Sequence, residues 1–300
     1  MTFILMGLTE DGKLAPFLFI LFLFVYLVSI IANLGMMFLI YNTSSLQTPM
    51  YTFLSFLSLV DLCYSSVITP KMLADLLSLR KTISFIGCAI QFFFFDTLGV
   101  TEVLLLSAMS YDRYVAICHP LRYVSLMTRK KCLGLIFMVL SIGTIQSTVQ
   151  TAVAFTHEYC GSNLINHFFC DVLPLLKLSC SGTLWSDCAL YFFVGTSGGG
   201  SLMTILVSYT LIALSILQMK TSKSRKKAFS TCTSHLACLF IFYSTAFFSY
   251  MHPSNYDFNK QDRAVAVLYT VVIPMLNPLI YGLRNQKVKT AISQAFHRSF

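Results

Sequence analysis

Along the chain, long apolar runs alternate with short polar segments. The runs cover residues 16–41, 50–73, 88–118, 132–155, 190–219, 229–251 and 264–283. A helix rises about 1.5 Å per residue, so about 20 apolar residues cross a hydrocarbon core about 30 Å thick. Each run meets that length, and seven crossings leave the two termini on opposite sides. The first run is too long for a signal-peptide core, and only Lys13 precedes it as a basic flank, so it reads as an uncleaved span. The pattern predicts an all-α seven-helix membrane bundle forming one domain over residues 1–300, with one long outer loop at 156–189 and a short tail at 284–300.

Composition agrees. Of 300 residues, 56% are hydrophobic and 11% charged, against about 25% charged in soluble domains, and the mean hydropathy is +0.72. Disordered, collagen-like and water-soluble classes fall by the same arithmetic. The net charge of +9 does not predict a nucleic-acid partner, because Lys and Arg sit between apolar runs rather than on one face. With the N-terminus extracellular, the inner side holds Arg113, Arg122, Arg129–Lys131, five basic residues over 220–227, Arg284, Lys287, Lys289 and Arg298. The outer side holds Lys13, Lys71, Arg80, Lys81, Lys177, Lys260 and Arg263, so the inner basic residues outnumber the outer by two to one. The positive-inside rule then sets the N-terminus outside and the C-terminus in the cytoplasm of a multi-pass plasma-membrane protein.

Five of the ten cysteines fall on the outer side: Cys88, Cys160, Cys170, Cys180 and Cys188. An oxidising compartment favours disulfides there, although the spacing leaves the pairing open. His157-x-x-Cys160 and His167-x-x-Cys170 also have zinc-compatible spacing, which requires reduced thiolates that this side disfavours.

Ionisable groups at membrane depth are costly and mark function. Asp61 lies in the second span, Asp96 and Glu102 in the third. Asp61 and Glu102 sit at similar depth, so a shared sodium ion or proton is one reading and neutral, hydrogen-bonded acids joining helices is the other. Asp112-Arg113-Tyr114 closes the third span with an exchangeable ion pair. Asn277-Pro278-Leu279-Ile280-Tyr281 puts proline inside the seventh, removing a backbone hydrogen bond and kinking the helix, with Asn277 placed to satisfy the freed groups.

A channel or transporter would show charges along a path or an internal repeat, and neither is present. An enzyme is not expected: His235 has Ser230, Cys232 and Ser234 nearby but no acid close in sequence to orient it. The seventh span contains no Lys for a retinal Schiff base.

Four strings on the expected spans together resemble the rhodopsin-like G-protein-coupled receptors, and among them the olfactory receptors, over nearly the whole chain. They are Pro49-Met50-Tyr51-Thr52-Phe53-Leu54-Ser55 with Asp61, Met109-Ser110-Tyr111-Asp112-Arg113-Tyr114-Val115-Ala116-Ile117-Cys118, Lys227-Ala228-Phe229-Ser230-Thr231-Cys232-Thr233-Ser234-His235, and Pro274-Met275-Leu276-Asn277-Pro278-Leu279-Ile280-Tyr281. The resemblance implies an odorant receptor activating a stimulatory, olfactory-type heterotrimeric G protein and raising cyclic AMP; a non-olfactory receptor for a small amine is the alternative. It implies that Arg113 engages the G protein, that Asp112 restrains Arg113 at rest, that Tyr281 helps hold the active form, and that Asp61 with Glu102 forms the ion or proton site. Cys88–Cys170 would pin the long loop and Cys160–Cys180 form a second bridge, leaving Cys188 over.

By the same resemblance, a small, mostly apolar volatile would sit between the outer halves of the third, fifth, sixth and seventh helices. Facing residues would be Phe95, Asp96, Gly99, Val100, Phe193, Ser197, Tyr243, Phe247, Tyr250 and Thr270, with Asp96 favouring an amine or joining a network with Tyr250. Two departures from the family pattern are Ser141-Ile142-Gly143, where a tryptophan is typical, and Gly198-Gly199-Gly200 in the fifth span. The only glycosylation sequon, Asn42-Thr43-Ser44, lies on the cytosolic side. The basic segment 220–227 and an amphipathic stretch over 284–298 would meet anionic lipid and the G protein.

Overall fold

The computed structural model describes residues 1–160, 162–219, 221–251 and 260–298. In chain order the elements are strand β1 (Thr2–Leu5), helices α1 (Ala15–Asn42) and α2 (Pro49–Leu77), strand β2 (Thr82–Ser84), α3 (Phe85–Cys118), the short α4 (Tyr123–Leu126), α5 (Arg129–Phe155), strand β3 (Leu164–Ile165), α6 (Val172–Leu176), α7 (Leu184–Phe193), α8 (Gly200–Gln218), α9 (Ser222–Met251), α10 (Lys260–Val267), α11 (Ile273–Arg284) and α12 (Gln286–Arg298). A π-helical turn, Val194–Gly199, joins α7 to α8, and another, Leu268–Val272, joins α10 to α11.

Among the described residues, six helical stretches are long and apolar enough to cross a membrane: α1, α2, α3, α5, Leu184–Gln218 and Gln261–Gly282. The remaining helix of the bundle is α9, 30 residues long, whose described apolar segment is the shorter His235–Thr245. The fifth helix begins at Leu184 and the sixth at Ser222, each about two turns before its apolar run. Backbone hydrogen bonding extends a helix past its hydrophobic stretch wherever the polar residues can reach water. The triple glycine lies at the end of the π turn and the start of α8.

Buried side chains form two clusters. The outer one gathers Phe92, Phe95, Phe168, Phe169, Tyr64 and Tyr269; the inner one gathers Phe53, Leu57, Leu105, Met109, Cys238 and Tyr281. Gly143 sets how closely α5 approaches α3: a Cβ there would lie 2.7 Å from Thr101 Oγ1 and 2.9 Å from Thr97 O. A large side chain at this position would force the two helices apart.

Residues before α1 build part of the outer face. β1 pairs antiparallel with β2, with Phe3 opposite Ile83, and parallel with β3, with Leu5 opposite Ile165. Phe3 and Leu5 are buried. Gly7, at φ +79°, turns the chain against Lys81, a left-handed conformation that glycine adopts at no steric cost. Lys81 Nζ donates to Met6 O and Thr9 O at 3.2 and 2.8 Å, and Arg263 Nη1 donates to Gly7 O at 2.9 Å.

The seventh helix corrects one expectation. Pro278 has no N–H to give the carbonyl of Pro274, but Asn277 does not fill that need. Asn33 of α1 does, its Nδ2 donating to Pro274 O at 3.0 Å and to Ser29 O at 3.0 Å. Asn277 is thereby released to face the bundle interior.

Candidate ligand cavity and inner polar sites

The long loop is held in three ways. Cys88 is bonded to Cys170 and Cys160 to Cys180, while Cys188 is free and exposed. Gln91 of α3 accepts from Cys170 N at 3.0 Å through Oε1 and donates to Val67 O at 3.3 Å. His157 meets Ser181 Oγ at 2.8 Å and Ser186 Oγ at 2.6 Å, one hydroxyl on each ring nitrogen. The zinc alternative therefore loses both its thiols and its histidine's free lone pair; among the described residues no group of three metal-ligating side chains converges. His167 is buried, and desolvation with the nearby Arg263 charge lowers its pKa to about 3.

Beneath this lid lies a cavity of about 870 Å³, within the range typical of small-molecule sites. α3 contributes Phe95, Asp96, Gly99 and Val100; the fifth helix contributes Ser197 and Gly198; α9 contributes Tyr243 and Phe247. Those seven expected residues other than Gly198 reach the wall. Phe193 packs against Phe192, with ring centroids 5.3 Å apart, and is not on the wall. Thr270 is turned into its own helix, its Oγ1 donating to Ala266 O at 2.7 Å. Its neighbour Tyr269 faces the cavity instead, because the π turn shifts the face the helix presents. The Tyr250 side chain lies outside the described residues.

Sequence reasoning missed the contribution of the second and fourth helices and of the loop: Tyr64, Gln146, Gln150, Asp171 and Val172 also line the space. Gln146 and Gln150, spaced i, i+4 on a membrane helix, were the signal available. Asp96 accepts from Gln150 Nε2 at 3.3 Å. Ring stacking fixes part of the wall: Phe95 lies 5.4 Å from Tyr64 and 4.9 Å from Phe169, centroid to centroid.

Midway down the bundle, Asn277 Nδ2 donates to Asp61 Oδ1, Asp61 Oδ2 and Glu102 Oε1, each at 3.2 Å. Both acids are buried, and Glu102 Oε2 has no hydrogen-bond partner among the described residues. Two carboxylates sharing one amide in an apolar interior require a proton or a cation between them. The donor set, all oxygen apart from the amide nitrogen, fits a sodium ion.

At the inner end, Arg113 Nη2 lies 3.4 Å from Asp112 Oδ2. Tyr123 of α4 donates to Asp112 Oδ1 at 2.9 Å, a partner invisible to spacing arguments because it follows a turn. Tyr114 points away, its hydroxyl 3.1 Å from His119 Nε2. His235 takes the hydroxyl of Tyr209 at 2.7 Å and has Tyr281 beside it, ring centroids 6.4 Å apart. α12 buries Val288 and Ala291 and exposes Lys287 and Lys289.

The bundle matches the crystal structure of squid rhodopsin with a TM-score of 0.71 over 97% of this chain and 87% of that one, at 17% identity. The chain thus has the seven-helix fold of that protein. The olfactory receptor family model matches residues 22–299. The chain is 51% identical over 292 residues to human olfactory receptor 8A1, covering 97% of this chain and 89% of that protein. It is 49% identical over 298 residues to mouse olfactory receptor 5G25, covering 99% and 94%. The chain belongs to the olfactory receptor family: it is a multi-pass membrane receptor and not an enzyme.

Proposed function

We propose that this receptor binds small, mostly apolar volatile molecules in the outer cavity and activates a stimulatory, olfactory-type G protein, raising cyclic AMP. The observation that carries the reading is the position of the cavity: about 870 Å³ of largely aromatic space directly under a disulfide-pinned lid. Phe95, Gly99, Val100, Phe247 and Tyr269 supply apolar contact, and Ser197, Tyr243 and Asp96 offer hydrogen bonds to one polar group of the ligand. At the other end, the one ion-pair partner of Arg113 among the described residues is Asp112 on its own helix. An Arg so placed can exchange its partner for a G-protein contact once α9 moves outward.

Asp61, Glu102 and Asn277 would hold a sodium ion, which supplies a positive charge between the two acids. Those side chains join α2, α3 and α11 at mid-depth, so a change in one helix is felt by the other two. Asn277, Pro278 and Tyr281 lie on the proline-containing helix α11 that connects this site to the inner end. Lys287 and Lys289 on α12 would rest against anionic lipid of the inner leaflet.

The test is cyclic AMP in cells expressing the receptor with a stimulatory olfactory-type G protein, challenged with diverse volatiles. A dose-dependent rise that disappears in Arg113→Ala at equal surface level is expected. A response of unchanged size in Arg113→Ala would refute the assigned role of Arg113.

A further inference from the structure

The walls of the outer cavity are chemically lopsided. Asp96 and Asp171 both line it, and among the described residues no lysine, arginine or histidine does. Asp171 begins α6 as its N-cap, Oδ1 accepting from Val172 N at 2.7 Å; it is 4% exposed. Burial pushes Asp171 up to about 6, so at neutral pH it is ionised. The two carboxyl groups are close enough for their charges to interact. Asp96 receives a long hydrogen bond from a neutral amide, Gln150, and has the Ser147 hydroxyl beside it; neither is a countercharge. The nearby outer cation, Arg263, is committed to Gly7 O on the lid. Two buried carboxyl groups facing aromatic surface, with no cation beside them among the described residues, lack the partner that a buried charge requires. Aromatic faces add attraction for a cation through their quadrupoles.

We infer that the cavity is selective for organic ammonium ions: small volatile amines whose charged head lies between Asp96 and Asp171 and whose apolar body lies against Phe95, Tyr243 and Tyr269. This inference rests on the reading of the cavity as the odorant site. It assigns Asp171, a lid residue, the same recognition task as Asp96, a residue of α3. A neutral alcohol of the same shape would leave the two acids facing each other and bind less tightly. A carboxylic acid would bring a further negative charge against the two acids and be rejected.

The experiment separates this inference from the signalling reading by measuring binding directly. The purified receptor in lipid nanodiscs is heated with 2-phenylethylamine, with 2-phenylethanol or with phenylacetic acid, three ligands of one shape and three charges. Asp96→Asn and Asp171→Asn keep the volume and the acceptor oxygen, so the contacts to Gln150 and to Val172 N are retained. The expected result is stabilisation by the amine at a concentration at least about tenfold lower than by the alcohol, and none by the acid. Each Asn variant should weaken amine binding about 30-fold or more, the usual cost of removing one partner of a buried charge pair, while leaving the alcohol response within about threefold. Stabilisation by the alcohol at equal or lower concentration than the amine would overturn ammonium selectivity while leaving the odorant cavity intact. Amine binding unchanged in both variants would overturn the roles of the two acids. A receptor that none of the three ligands stabilises, yet that raises cyclic AMP to other neutral volatiles, would overturn the inference and leave the proposed function standing.

Discussion

The outer and inner halves of this bundle solve opposite problems. The outer half is fixed covalently: two disulfides, a three-stranded lid and a wall of stacked rings surround an empty space. The inner half has no disulfide; among the described residues it is closed by one ion pair and a few hydroxyl and imidazole contacts, Tyr123–Asp112 and Tyr209–His235 among them. Disulfides and close-packed rings resist motion, whereas charge-assisted hydrogen bonds can be traded for others of equal worth. A receptor needs this asymmetry: a site whose shape persists, and an output end whose partners exchange. The acids bridged by Asn277 stand between the two regimes.

The sharpest way to break the comparison is to loosen the outer half. Cys88→Ser opens a bridge spanning 82 residues and should cost about 4 kcal/mol, against about 3 kcal/mol for Cys160→Ser, whose bridge spans 20. Thermal unfolding of purified receptor should rank the two in that order, with the Cys88 variant nearly absent from the cell surface. Equal losses would mean that loop length does not govern the lid's stability.

Next in size is the α3–α5 contact. Gly143→Leu should destabilise by about 2–3 kcal/mol, because the added side chain meets Thr101 and the Thr97 carbonyl. A variant with wild-type melting behaviour would show that α5 has room that this geometry denies it. In the seventh helix, Asn33→Ala strands the Pro274 carbonyl and should cost about 1–3 kcal/mol. Since the carbonyl belongs to the kink, agonist potency should shift along with stability.

The smallest effect sharpens the electrostatics of the lid. His167 titrates at 6.5 unfolded and about 3 in the fold. The stability it contributes is whole above pH 6.5 and is lost below it, at about 1.4 kcal/mol per pH unit. Asp171 has the opposite sign: raised from 3.8 to about 6, it favours the fold at low pH and loses that contribution as pH rises to about 6. Between pH 7 and 5 Asp171→Asn should therefore lose about 1 kcal/mol more stability than the wild type. Identical pH profiles for the two proteins would contradict these assignments.

The fold was legible in the sequence because hydrophobic runs of membrane length leave few alternatives, and both disulfide pairs followed from the family resemblance. Less was legible where one side chain answers a need created far away in sequence. Asn33 serves a carbonyl 241 positions later, and Tyr123 serves Asp112 across a turn. The cavity face was readable on α3, where regular helical spacing brings Phe95, Asp96 and Gly99 together. It was misjudged by one position at Thr270, since a π turn breaks the 3.6-residue period on which the reading depends. Nothing in the pattern disclosed that residues 2–5 form a strand in the lid, because four residues carry no periodicity to detect.

The central claim is that ligand capture and signal output reside in separate halves. It is tested most directly by odorant-evoked cyclic AMP in wild type, Gly198→Phe and Arg113→Ala receptors matched for surface level. Gly198 lies on the cavity wall and a Cβ added there would meet nothing within 4 Å, so an aromatic side chain can start from this position and reduce the space for a ligand. The account predicts that Gly198→Phe shifts or abolishes odorant sensitivity but keeps ligand-independent activity, whereas Arg113→Ala abolishes both. An unshifted dose–response curve in Gly198→Phe would contradict it.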